Sequence, residues 1–356
     1  MNVAFDTNAL YNSRAGVARY VQGLLGGLRE RCGTGVNILP FAWEVENLGA
    51  PGLERSCKTL WRELVWARWI APRRLLRSGA GLYHATGTAY FVPPSGITFL
   101  ATVHDLAAIR CPERFRGWQR RQRDARVRRL LRARQFVCIS RFTADELMRE
   151  FGVSAERIEV VYNGADDPSA LSRGGGGASG LQVPDEFLLF VGSLEPGKNL
   201  ALLRRVYELA AGRGVALPPL LIAGARWPGV AHEGAPPDGW RYLGRIADET
   251  LVMLYRRAAA LVFPSRYEGF GLPVAEAMLA GCPVICSPVA SLPEVGGKAA
   301  LFVDQTPEAY LAGIRLVLDD PVRRAEMIAA GREQAAGFSW SRCADGYLAV
   351  YRNLHQ

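Results

Sequence analysis

The sequence predicts an α/β chain of two Rossmann-like domains, and three observations carry that expectation. Short apolar, β-rich runs alternate with longer helical patterns from one end to the other. The length of 356 residues, with 49% hydrophobic and 22% charged residues, exceeds one ordinary core and suits two. Between the halves lies DDPSALSRGGGGASGLQVPD, residues 166–185, whose four consecutive glycines hold no regular element cheaply. The expected organisation is therefore a first domain over 1–165, a linker over 166–185 and a second domain over 186–339. A last helical pattern, 340–356, follows a complete second domain and is able to cross back onto the first.

Taken in order, the first half reads as strands near 2–6, 36–40, 81–85, 98–103, 136–140 and 158–162. The second half repeats the pattern at 187–191 (FLLFV), 219–223, 260–263 (ALVF), 283–286 (PVIC) and 300–303 (ALFV). Short apolar, β-rich runs alternating with helical patterns are what parallel-sheet α/β units require. A helix is expected over 273–280, because Pro273 suits a first helical position and Gly281 a C-terminal stop. Others are expected over 118–134 and 340–354. Two such domains joined by a hinge would face a shared cleft with their strand ends, so ligand chemistry is sought in the loops that follow strands.

Composition removes several classes. No run of 18 apolar residues occurs, and MNVAFD reads as a strand rather than a charged leader, so neither a spanning helix nor a signal peptide is expected. Seven cysteines without a CxxC point to a reducing cytoplasm and no structural zinc. The net charge of +9 is local: residues 114–134 carry ten arginines against one aspartate. A second stretch, 55–77, carries seven Lys or Arg against Glu63, interleaved with Trp61, Trp66 and Trp69. Local basicity of this kind marks a surface for anionic partners.

Four strand-end loops carry candidate chemistry. After 187–191 comes Gly192-Ser193-Leu194-Glu195-Pro196-Gly197-Lys198-Asn199 and then a helix. A cation at the positive end of a helix dipole is unfavourable unless an anion lies between, so Lys198 and the adjacent amides suit a phosphate; a solvated loop lysine is the plain alternative. The loop is not a Walker A, which needs Ser or Thr where Asn199 stands. After 260–263 comes Arg266-Tyr267-Glu268-Gly269-Phe270-Gly271-Leu272-Pro273, with Glu276 one turn into the helix. Gly269 and Gly271 admit close approach of a ligand, the amides near Gly271 and Leu272 suit phosphate, and the two carboxylates suit hydroxyls. After 98–103, His104 is placed for hydrogen bonding or proton transfer, or else for a structural pairing with Asp105. His84 is similarly placed but lacks a following carboxylate, and Gly16 opens a helix after the first strand.

These residues resemble the retaining GT-B glycosyltransferases of family 4, which use nucleotide-sugar donors. Glu268 and Glu276 match the E-x7-E element with the GFGLP core intact. VGSLEPGKN, TVHDL at 102–106, ISRFT at 139–143, YNGAD at 162–166 and YLGRIADETL at 242–251 follow in family order over nearly the whole chain. The resemblance implies that Glu276 binds the donor ribose, and that Lys198 with the amides near Gly271 and Leu272 binds the diphosphate. It further implies that Glu268, Gly269 and Phe270 hold the donor sugar, with His104 in contact with it. Gly16, with Gly192 and Ser193, would shape the phosphate end, and the turn from Gly244 to Ile246 would flank the base. One departure is clear: many members carry an Arg in the loop before the lysine, whereas neither Ser193 nor Gly197 is basic, leaving Arg19 or Arg266 as substitutes.

On this resemblance the expected activity is retaining hexose transfer, with mannose from a GDP-sugar favoured because GSLEPGKN is most similar to members acting in bacterial polysaccharide, lipopolysaccharide or O-antigen assembly. The donor is a substrate, and no cofactor is expected. The sequence has no DxD pair, so a metal-independent reaction is expected, with Lys198 and a helix N-terminus stabilising the leaving group. Alternatives are a GT-B epimerase or phosphorylase, glycoside hydrolysis by the paired carboxylates, and a membrane-surface binding module. Arg120, Arg121, Arg128 and Arg129, together with the tryptophans of 61–69 at the headgroup interface, would hold the first domain to an anionic membrane, on the inner face of the plasma membrane, near a glycan or lipid-diphosphate-linked acceptor. Nucleic acid is not expected, since the arginines lack an aromatic stacking platform.

Overall fold

The computed structural model describes residues 1–12, 16–31, 35–45, 52–110, 117–165, 181–226 and 236–355. The chain forms two compact units, Met1–Gly164 with Trp340–Gln356, and Ala165–Ser339. Unit 1 carries β1 (Asn2–Asp6), β2 (Asn37–Phe41), β3 (Leu82–Ala85), β4 (Thr98–Val103), β5 (Gln135–Cys138) and β6 (Ile158–Val160). They pair in parallel in the order β2-β1-β3-β4-β5-β6. Successive side chains of a strand alternate between faces, so Val3 and Phe5 enter one core while Ala4 enters the other. The first core is closed by the helices Gly16–Arg29 and Trp340–His355 through Tyr20, Leu24, Tyr347 and Tyr351. The second is closed in part by Trp66, Ala71 and Leu75 of a long helical stretch.

That stretch runs as an α-helix over Gly52–Trp61, a π-helix over Arg62–Ile70 and an α-helix over Ala71–Arg77. The amide of Ala71 donates to the carbonyl of Trp66, five residues back, as the wider winding requires.

Unit 2 carries β7 (Leu188–Val191), β8 (Leu220–Ala223), β9 (Trp240–Gly244), β10 (Ala260–Phe263), β11 (Val284–Cys286) and β12 (Leu301–Phe302). The order β12-β11-β10-β7-β8-β9 reverses direction between β7 and β10. This switch point splays the connections apart and leaves a crevice beyond the carboxyl ends of those two strands. Both are fully buried, and their parallel register, Ala260 opposite Leu188, sets the loops after them side by side.

Two details depart from the sequence reading. β9 was not expected: it is an edge strand whose Arg241 and Tyr242 are exposed, so it lacks the apolar run that marks its neighbours. The arginine-rich helix spans Gly117–Leu130 rather than reaching 134. The amides of Arg132 and Ala133 already close tight turns, and that of Arg134 joins the carbonyl of Phe99 to begin β5. Residues 166–180 of the expected linker, like Cys32 and Cys111, lie outside the described residues; the five other cysteines are free thiols. Among the described residues no helix is long and apolar enough to cross a membrane.

Candidate functional site

In unit 2 the loop after β7 and the loop after β10 meet at the switch point. The first passes through a tight turn, Pro196–Lys198, and Asn199 in left-handed conformation before the helix Leu200–Gly212 begins. The Lys198 Nζ lies 2.5 Å from Oε1 of Glu268 and 5.5 Å from the centre of the Phe263 ring. Both partners of the pair are mostly buried, at 15% and 11% exposure. The anion that a lysine at this helix end demands is supplied by the Glu268 carboxylate.

The second loop is fixed at several points. Ser291 donates to the carbonyl of Glu268 at 3.0 Å, the Arg266 amide donates to the carbonyl of Gly197 at 2.9 Å, and Phe270 packs edge-on against Phe338. Gly271 takes φ +98° as the N-cap of the helix Leu272–Ala280, a conformation open to glycine, and a side chain there would strike Leu292. The amides of Val274 and Ala275 turn back to the Gly271 carbonyl, so those of Gly271 and Leu272 lead the helix as donors. Glu276 sits inside this helix at 6% exposure and accepts a hydrogen bond from Tyr255 Oη at 3.1 Å.

The loops after β8 and β9 complete the rim. Gly224 must be glycine, because a Cβ there would run into the carbonyl oxygen of Gly192; its amide donates to Gly244 at 2.8 Å. Gly192 thus packs on Gly224, which is bonded to Gly244 at the start of the turn to the partly buried Ile246. Ser193 Oγ donates to Glu195, not to a neighbouring loop.

Unit 1 has its own cluster at strand ends. His104, after β4, donates from Nε2 to the carbonyl of Thr86 at 2.7 Å, and its ring meets Tyr20 edge-on at 4.6 Å. Because a carbonyl only accepts, Nε2 carries the proton and Nδ1 is left as an acceptor. Burial lowers the His104 pKa, against the Thr86 hydrogen bond and the charge of Asp105, so the ring is neutral near pH 7. Asp105 caps the amide of Ala107 and makes no hydrogen bond to the imidazole. Gly87 lies against both Val17, next to Gly16 at the start of its helix, and His104.

His84 has a different task. Buried on β3, it bonds Tyr351 through Nδ1 and Thr102 through Nε2, each at 2.7 Å, and Thr102 joins Tyr20 and Tyr347. Burial pushes its pKa down to about 3. At the end of β1, Asp6 accepts from the amide and side chain of Asn8 and from Tyr83 Oη at 3.0 Å. Burial pushes Asp6 up to about 6, despite those hydrogen bonds and the charge of Arg62. Tyr347 and Tyr351, one turn apart on the last helix, were the available signal for this network.

Of the arginines expected at a surface, Arg128 is exposed, while Arg129 is drawn to Glu63 at 3.5 Å. Arg120 and Arg121 fall within the helix Gly117–Leu130, but their side chains lie outside the described residues.

Two Rossmann-like units with these topologies define the GT-B class of fold. A sucrose-phosphate synthase from Thermosynechococcus elongatus superposes with a TM-score of 0.73 over 100% of this chain and 99% of its own, at 20% identity, a likeness of fold alone. Residues 177–334 match the model of glycosyl transferases group 1, and residues 14–167 that of glycosyltransferase family 4. The O-antigen chain mannosyltransferase B of Escherichia coli is 34% identical over 290 residues, 77% of this chain and 74% of that protein. A D-inositol 3-phosphate glycosyltransferase of Kineococcus radiotolerans is 31% identical over 59% of this chain and 55% of its own length. The chain belongs to the group 1, family 4 glycosyltransferases.

Proposed function

We propose that this glycosyltransferase moves mannose or a related hexose from a GDP-sugar to a glycan or lipid-diphosphate-linked acceptor in polysaccharide or O-antigen assembly. The observation that carries the reading is the convergence of Lys198, Glu268 and the Gly271-led helix at one switch point, with Glu276 buried one turn further on. The mannosyltransferase relative favours the sugar. In this reading Glu276, steadied by Tyr255, accepts the ribose hydroxyls. A donor diphosphate takes over Lys198 and the helix amides, which frees Glu268 for a sugar hydroxyl. His104, neutral with Nδ1 as an acceptor, suits a hydroxyl rather than proton delivery.

The chemistry follows from charge. The bond between the anomeric carbon and the phosphate oxygen breaks, its electron pair leaving with the diphosphate, and Lys198 and the helix N-terminus stabilise that charge. The acceptor oxygen attacks from the face the phosphate leaves and passes its proton to the departing phosphate oxygen, so configuration is retained. Lys198 and the helix then do what a metal does elsewhere, and the reaction proceeds without one.

The test incubates the chain with GDP-, UDP-, ADP- and dTDP-sugars. The reading expects a GDP-sugar to give the largest thermal shift, and transfer to a lipid-linked acceptor that survives EDTA. Epimerised donor without acceptor, sugar phosphate formed with inorganic phosphate, or activity that returns only with magnesium or manganese would contradict it.

A further inference from the structure

Among the described residues, seven of the twelve exposed large hydrophobic side chains lie between residues 60 and 76. The winding of this stretch explains the concentration. The π-helix over Arg62–Ile70 lengthens the turn, so Arg62, Trp66, Ala67, Ala71 and Leu75, four or five apart, all face inward. The opposite face presents Leu60, Leu64, Trp69, Ile70 and Leu76 at 58%, 62%, 52%, 39% and 56% exposure, while the part-exposed Trp61 stacks on the buried Trp43.

Its charge is one-sided. The one acid between 60 and 77, Glu63, is held at 15% exposure by Arg126 and Arg129, at 2.5 and 3.5 Å. Arg68, Arg73 and Arg77 are exposed, and so is Arg74, which pairs with the exposed Glu44 at 3.3 Å. Two of them flank one indole, the guanidinium carbons of Arg68 and Arg73 lying 5.7 and 5.6 Å from the Trp69 ring centre. An apolar face rimmed by arginines, with a tryptophan between two of them, fits the boundary between acyl chains and anionic headgroups. A second copy of this chain would bring the same cations against themselves.

We propose that the outward face from Leu60 to Leu76 is the surface by which unit 1 lies on an anionic bilayer. Apolar insertion supplies a part of the binding that salt does not remove, and Arg68, Arg73 and Arg77 supply a part that it does. This rests on the lipid-linked-acceptor reading and narrows the expected contact to the stretch from Leu60 to Leu76, since Arg126 and Arg129 of the arginine-rich helix are turned to Glu63.

The test is cosedimentation of the full chain with phosphatidylglycerol-containing vesicles, and with phosphatidylcholine alone, at low and high salt. The triple variant Leu64→Ser, Trp69→Ser, Leu76→Ser removes exposed groups and should melt as wild type does, yet lose on the order of a hundredfold in partitioning at both salts. Arg68→Ser, Arg73→Ser, Arg77→Ser should lose about a hundredfold at low salt and little at high salt. Wild-type protein that stays in the supernatant at low salt, or an apolar triple variant that pellets like wild type, would overturn the proposal. So would a wild-type dimer that the apolar variant converts to monomer with vesicle binding unchanged. Transfer to a water-soluble acceptor, assayed in parallel, should be the same in all three proteins. Absence of transfer by the wild type to lipid-linked and water-soluble acceptors alike, with vesicle binding intact, would sink the proposed reaction and leave this face standing.

Discussion

At the carboxyl ends of its central strands, unit 2 keeps Lys198 and Glu268 paired only with each other, at 2.5 Å and with part of each still exposed. At the matching ends in unit 1, Asp6 and His84 are at 3% and 0% exposure, and each is committed to partners on neighbouring elements. The same kind of sheet therefore uses titratable side chains in two ways. Where a partner is one other mobile side chain, a ligand can exchange with it at small cost. Where the partners are hydroxyls and amides from two other elements, the group is a fastener: His84 joins β3 and β4 to the last helix through Tyr351 and Thr102. Asp6 ties β1 to Asn8 and to Tyr83, and through its own carbonyl to Thr86, whose carbonyl in turn holds His104.

The sharpest way to break the contrast is to disturb the loop packing that presents the unit 2 pair. Gly224→Ala places a Cβ against the Gly192 carbonyl at a φ of +151°, and should destabilise the protein by about 3 kcal/mol or more, seen in urea titrations. A variant of wild-type stability would mean that the two loops yield easily. Next, Lys198→Ala should lower turnover by about 10²-fold or more while the fold is kept, as deletion of a leaving-group charge partner does. Turnover within a few-fold of wild type would return Lys198 to a structural ion pair.

The fasteners of unit 1 are tested by pH. His84 is lowered on folding, so its contribution is complete above the unfolded value near 6.5 and is lost as pH falls toward about 3. Between 6.5 and about pH 5 this amounts to ~2 kcal/mol. Asp6 acts with the opposite sign: its contribution is present below 3.8 and is lost as pH rises through about 6. Urea titrations at the two pH values should show His84→Gln lacking that ~2 kcal/mol of acid sensitivity relative to wild type. Parallel changes in both proteins would mean that His84 already titrates in the folded state. The smallest effect is expected from Tyr255→Phe, which removes the hydroxyl that steadies Glu276 and should weaken nucleotide binding by about 1 kcal/mol. A thermal-shift titration with GDP that superimposes on wild type would leave Tyr255 no positioning role.

Periodicity and spacing revealed much of this molecule. Eleven strands were legible from their apolar runs, even at the edges β2, β6 and β12, whereas β9, with Arg241 and Tyr242 exposed, was not. Glu268 and Glu276 were legible from a short segment, since a loop and the helix it opens are contiguous. The Lys198–Glu268 contact joins residues 70 positions apart, and only the placement of β7 beside β10 brings them together. Tyr255 reaches Glu276 from another helix, and the hydroxyl network of unit 1 draws on β3, β4 and two helices at opposite ends of the chain. A pattern within one segment records which face is buried, not which side chain of a distant segment will meet it. The π-helical stretch was hidden for a related reason, because its inward positions fit neither period that marks ordinary helices and strands.

The central claim, that the unit 2 switch point holds the nucleotide with Glu276 on the ribose, is tested most directly by calorimetric titration of GDP into wild-type and Glu276→Ala protein. The account predicts measurable binding by wild type and a loss of roughly 1–3 kcal/mol in the variant, the range for hydrogen bonds to a charged group. Glu268→Ala, titrated alongside, should change GDP affinity less than it changes sugar transfer. Equal GDP affinity in the Glu276→Ala variant and wild type would contradict the account.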